Sequence, residues 1–137
     1  MRFMLIQNYG GVEGDCAPMS QWEPSEVAGH IAFQIGLNTE LRTNGELVDA
    51  QGLAAPAEAR FVVSAGADCE PRVGGDEPSG RELIAGYRIV DVVSIERAIE
   101  IAARVSAAPG QGGRAIEQRI EVRQVMQAPE PPQASAG

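Results

Sequence analysis

His30 and Gln34 are the residues of this chain whose type and spacing most readily suggest chemistry. Four residues apart on a helix, an imidazole and a carboxamide lie one above the other on the same face. With Val27 as origin and about 100° per residue, Leu37, His30, Leu41, Gln34 and Ile31 fall on one continuous arc. A titratable ring and an amide therefore interrupt a stripe otherwise made of hydrocarbon. Imidazole exchanges a proton near neutrality, so one reading makes His30 a general acid or base. Such a ring is oriented by a carboxylate. Asp49, in the segment after the helix, is the first candidate and is expected to share a strand face with Leu47. Asp76, in a loop, is the second. Gln34 and Tyr87 would then shape a pocket. The plainer alternative satisfies His30 with Gln34 or a backbone carbonyl, as a core or interface residue. It leaves Asp49 facing water at a strand end, Asp76 capping a turn, and Tyr87 packed in a dimer interface.

Those residues need elements to hold them. Residues 2–7 predict a strand apolar on both faces, followed by a loop from Asn8 to Gln21. Pro24 suits the first turn of a helix, Glu26 suits its positive end, and Asn44-Gly45 predicts its stop after Thr43. Strands are predicted over 46–53 and 58–64, with a short one near 69–73 and a stronger one over 83–92. Ser94 is a good N-cap for a second helix over 95–105, with Ile95, Ala98, Ile99, Ala102 and Val105 as its buried stripe. A last strand over 116–126 places Ile116, Ile120, Val122 and Met126 on one face and charged residues on the other. The order predicts an α+β ferredoxin-like sandwich: two helices on one face of a mainly antiparallel sheet, with an extra hairpin. The domain is expected to span 1–126, and 127–137, with three prolines, to be a disordered tail. A sheet face left open by the helices predicts a homodimer, with Phe3 or Met4, Phe61 or Val62, and Tyr87 as contributors.

Composition narrows the chemistry. All 11 basic residues are arginine, which removes Schiff-base chemistry and the phosphate-loop lysine. A net charge of −8 and no basic run disfavour nucleic acid as a partner. Cys16 and Cys69 lie far apart without CxxC or Cys/His clustering, so no metal site and no cofactor are expected. Gly110-Gln-Gly-Gly113 follows a helix instead of preceding one, the wrong order for a phosphate cradle. Residues 1–8 are shorter than a signal-peptide core or a spanning helix; the expectation is a cytoplasmic protein with no membrane partner.

The segments 46–56 (ELVDAQGLAAP), 83–92 (LIAGYRIVDV), 98–103 (AIEIAA) and 120–126 (IEVRQVM), in this order, resemble the YCII-related family. They are most similar to its longer branch of DGPF-domain proteins. The resemblance covers residues 1–126 and rests on the ordered set of segments. It implies a dimeric ferredoxin-like α/β fold, related to small lactone isomerases and monooxygenases, with some short members resembling dehydrochlorinases. It also implies a histidine in the first helix, matched by His30 within 29–33 (GHIAF). The Asp-Gly-Pro-Phe signature reads Asp76-Glu-Pro-Ser79 here, and Ala108-Pro109 stands where short members carry Asp-Pro. Two functions follow as expectations. One is a homodimeric module binding a small polar or cyclic metabolite. The other is a cofactor-free enzyme of lyase, dehydrochlorinase or isomerase type, with His30 moving the proton and Asp49 or Asp76 orienting it.

Overall fold

The computed structural model describes residues 1–12, 19–74 and 83–128, with the backbone alone for 9–12. Strand β1 (Arg2–Val12) leads through a 3₁₀ turn at Met19–Gln21 into helix α1 (Pro24–Thr43). Strand β2 (Leu47–Gly52), a two-stranded ribbon of β3 (Val62–Val63) and β4 (Arg72–Val73), and strand β5 (Ile84–Asp91) follow. Helix α2 (Ile95–Ser106) and strand β6 (Gln118–Gln124) complete the order. The main sheet runs β2-β5-β1-β6 and every pairing in it is antiparallel. This is the expected α+β architecture, compatible with a ferredoxin-like fold, with the extra hairpin as a separate ribbon. No described helix is long and apolar enough to cross a membrane.

Local chemistry explains the helix limits. Pro24 occupies the first turn of α1, and the Glu26 carboxylate accepts the Glu23 N–H at 2.8 Å. Gly45, at φ 73°, takes the left-handed conformation that ends the helix. In α2 the Ser94 hydroxyl accepts the Arg97 N–H.

Both helices cover one face of the sheet. On that face the pairing rows read Leu47–Val90–Phe3–Gln124, then Ala50–Arg88–Leu5–Val122, then Gly52–Gly86–Gln7–Ile120. The core fills the first of these and part of the second: Phe3, Leu5 and Val90 meet Leu37 and Leu41 of α1 and Ile101 of α2. The other face carries Asp49–Ile89–Met4–Arg123 and Gln51–Tyr87–Ile6–Glu121. β1 is an inner strand, in keeping with residues apolar on both faces, but only one of its faces is covered by helices.

Several boundaries differ from the sequence expectation. β1 extends to Val12, and the strands predicted over 58–64 and 69–73 shrink to two residues each. In α2, Ile101 is buried, while Ile95 and Ile99 are exposed. The stripe 98, 101, 102, 105 has the same helical periodicity as the predicted one, and small Ala98 and Ala102 let the helix approach closely enough to seat Ile101. Ile31 of α1 is exposed as well. Ile116 lies outside β6 because Glu117 adopts φ 58°, breaking the extended chain; it packs instead with Trp22 and Ala108 in a second small cluster. Met126 is exposed beyond the strand. From residue 129 onward the predicted tail lies outside the described residues, as do Cys16, Asp76 with its 76–79 signature, and Glu77.

Candidate functional site

A cavity of about 930 Å³ opens where the hydrocarbon core stops. Its floor is the third pairing row with Ala50 of the second, where Gly52, Gly86 and Ala50 bring almost no side-chain volume. Gly86 is required there: a Cβ on it would stand 2.7 Å from the Gln51 carbonyl oxygen of the neighbouring strand. The roof is the middle of α1, whose His30, Gln34 and Asn38 follow one another at intervals of four residues. Trp22, Ile116 and Leu53 supply apolar wall, and Gln7 and Gln118 supply polar wall. Gln118 accepts from the Gln7 amide at 3.0 Å and donates to the Asn8 carbonyl at 3.0 Å.

The polar side chains of the roof join Arg88 of β5 in one directed chain of hydrogen bonds. It starts at Arg88, which is only 4% exposed. Its Nε donates to Asn38 Oδ1 at 2.7 Å, and its Nη2 donates to Gln34 Oε1. A guanidinium only donates, so the Gln34 amide must present its oxygen to Arg88 and its NH₂ to His30. Gln34 Nε2 then donates to His30 Nε2 at 3.4 Å. That places the ring hydrogen on Nδ1, which donates to the Pro109 carbonyl at 3.0 Å. The ring also meets the Trp22 indole edge-to-face, with centroids 5.6 Å apart. Burial pushes the Arg88 guanidinium down from its ordinary range.

His30 also holds a loop. One turn before it on α1, the Glu26 carboxylate accepts the Gly112 N–H, so two successive turns of the helix grip the connection from α2 to β6. The Gly112 and Glu23 N–H groups stabilise the charged form and hold the Glu26 carboxyl below its usual range.

A comparison with protein-family models and with curated proteins gave no match.

Of the other predicted site residues, Tyr87 is among those lining the cavity, whereas Asp49 is not. Asp49 does not share a face with Leu47. The register shifts between them, so that Leu47 stands opposite Val90 and Asp49 opposite Ile89, on the side of the sheet away from the helices. There Asp49 accepts from the Tyr87 hydroxyl at 3.0 Å, from Gln51 Nε2 at 3.1 Å and from the Ala50 N–H at 2.9 Å. Its carboxylate raises the Tyr87 pKa, keeping the phenol a donor. The two hydrogen bonds of His30 go to Gln34 and a backbone carbonyl, as the plainer reading expected. Asp76 lies outside the described residues. Among those described, no group of three or more His, Cys, Asp and Glu is placed to hold a metal ion.

Sequence reasoning missed Arg88, Asn38 and Trp22. The signal for Arg88 was present: it lies two residues before buried Val90 and two after Gly86, so alternation alone turns it toward the helices. Asn38 continues the His30–Gln34 spacing by one more turn. Trp22 is the one tryptophan of the chain, between the predicted loop that ends at Gln21 and the predicted helix that starts at Pro24.

Proposed function

We propose that this chain is a YCII-related module that binds a small polar or cyclic molecule in the cavity between α1 and the β2–β5 end of the sheet. The observation that carries the reading is the chain Arg88–Gln34–His30–Pro109 along the roof of that cavity. Polar groups with fixed donor and acceptor directions, set among apolar walls, orient a ligand, whereas a core would be better served by hydrocarbon there. Trp22 on the wall gives a direct readout. Titration with a panel of small cyclic acids, amides, alcohols and lactones is expected to change Trp22 emission saturably and raise the melting temperature for at least one class. A silent panel overturns the reading.

The second reading, proton transfer by His30 in a cofactor-free lyase, dehydrochlorinase or isomerase, draws on one observation. The ring lines the cavity while its far nitrogen is anchored to a carbonyl, the support an acid–base residue requires. Asp49 has no part in it. The binding reading is preferred because the cavity-side nitrogen is already engaged by Gln34.

The module acts as a homodimer in this proposal, through the sheet face opposite the helices. Met4, Ile6, Tyr87 and Ile89 form a half-buried apolar band in the middle of that face, between Asp49 and Gln51 on one side and Glu121 and Arg123 on the other. Phe3, by contrast, is turned to the helices and buried. Light scattering is expected to give twice the chain mass, falling to the monomer in Ile6→Asp. A monomeric wild type overturns the dimer.

A further inference from the structure

We propose that the ligand of this cavity is a small monoanion, a carboxylate on an apolar body, and that Arg88 meets its charge. The inference rests on the module reading and adds the chemical class of ligand. Arg88 is buried, yet the groups it donates to are two neutral amides, Asn38 and Gln34. Elsewhere among the described residues four arginines pair with acids although all are more exposed than Arg88: Arg2 with Asp91, Arg97 with Glu46 and Glu100, Arg104 with Glu40, and Arg123 with Glu121. The chain has 19 acidic residues for 11 arginines, so a partner for Arg88 is not scarce. None stands beside it among the described residues.

A buried guanidinium without a counter-charge is destabilising, because amide oxygens accept its hydrogen bonds without neutralising it. Asn38 and Gln34 hold the Nε and Nη2 positions, and Nη1 donates to no described residue. Arg88 lines the cavity, so an anion there would meet a preoriented, flat donor group. Carboxylate fits better than phosphate for two reasons. Arg88 is the one arginine among the described residues lining the cavity, and there is no lysine in the chain. A dianion would also enter a protein of net charge −8 with a single cation to offset it. Trp22, Ile116 and Leu53 would take the apolar body.

The test uses matched pairs on the full chain: benzoate against benzamide, and cyclohexanecarboxylate against its carboxamide, with inorganic phosphate as the dianion. Trp22 emission and the melting temperature are the readouts. In the wild type each acid is expected to bind about tenfold or more tighter than its amide, the scale of one charge-assisted contact. Asn38→Asp puts a carboxylate where an amide oxygen already accepts from Arg88. It is expected to raise the ligand-free melting temperature and to abolish the preference for acids while amides still bind. Arg88→Met is expected to lose the preference too; because the wild-type acid-to-amide ratio decides the matter alone, misfolding of that variant leaves the proposal testable. Amides binding as well as acids would overturn the anion assignment and leave the module standing. Phosphate binding more tightly than either acid would overturn the monoanion. Silence from every probe would overturn both.

Discussion

The layer between helices and sheet has two ends built on opposite rules. At one end Phe3, Val90, Leu41, Ile101 and Val105 are all 2% exposed or less and belong to one hydrophobic cluster. At the other, one or two pairing rows away, the sheet offers Gly86, Gly52 and Gln7, and the helix offers His30 and Gln34. The same strands and the same helix α1 serve both. What changes is volume: glycines and alanine on the floor withdraw side chains, and α1 does not sink to fill the gap because its C-terminal half is already seated on Leu37 and Leu41. The sealed end thus works as the clamp that keeps the open end open. Close packing and open cavity are divided along one helix.

The largest expected effect tests that division directly. Leu41→Ala removes a fully buried side chain from the sealed end and is expected to cost ~2–5 kcal/mol in urea unfolding. His30→Ala, four residues before the Gln34 it touches, removes one hydrogen bond to a loop carbonyl, one long contact and the edge-to-face contact with Trp22. It is expected to cost about 1–2.5 kcal/mol, with the fold retained. Equal losses would mean that the two ends are one core, and the division would fail.

The sealed end was the legible part of the sequence. Helix limits, strand order and the two-helix face follow from Pro24, Asn44-Gly45, Ser94 and apolar periodicity, all of them local signals. The open end was legible only in part. His30 and Gln34 stood out because they interrupt a periodic stripe. Asp49 misled because a one-residue register shift, invisible in composition, turned it to the other side of the sheet. Arg88 was passed over because a charged residue inside a strand reads as solvent-facing by default, although its neighbours at 86 and 90 argued otherwise. The cavity itself comes from tertiary register: Gly52 is far from Gly86 in the chain and pairs with it across strands.

The smallest effect concerns acid, and it too separates the ends. Glu46 at the start of β2 accepts two bonds from Arg97 at 2.9 Å, and Arg97 holds its carboxyl below the ordinary 4.5. Glu26 at the open end is lowered from the same value by the Gly112 and Glu23 N–H groups. A carboxyl with a depressed folded pKa contributes stability that is present above its unfolded pKa and lost as pH falls through the folded one. Both contributions therefore fade below about pH 4.5, and neither changes above it. Their consequences differ. Loss of the Glu46–Arg97 pair lowers global stability by up to about 1 kcal/mol, since Arg97 keeps contact with solvent. Protonation of Glu26 removes the charge that strengthens its bond from the Gly112 N–H while His30 still holds Pro109, so only the loop beside the cavity loosens. Amide exchange, corrected for intrinsic rates, is expected to speed up at Gly112 in Glu26→Gln already at neutral pH, with core amides of β1 and β5 unchanged. Glu46→Gln is expected to speed those core amides and leave Gly112 as it was. If either substitution moved both sets together, the two ends would be opening as one unit.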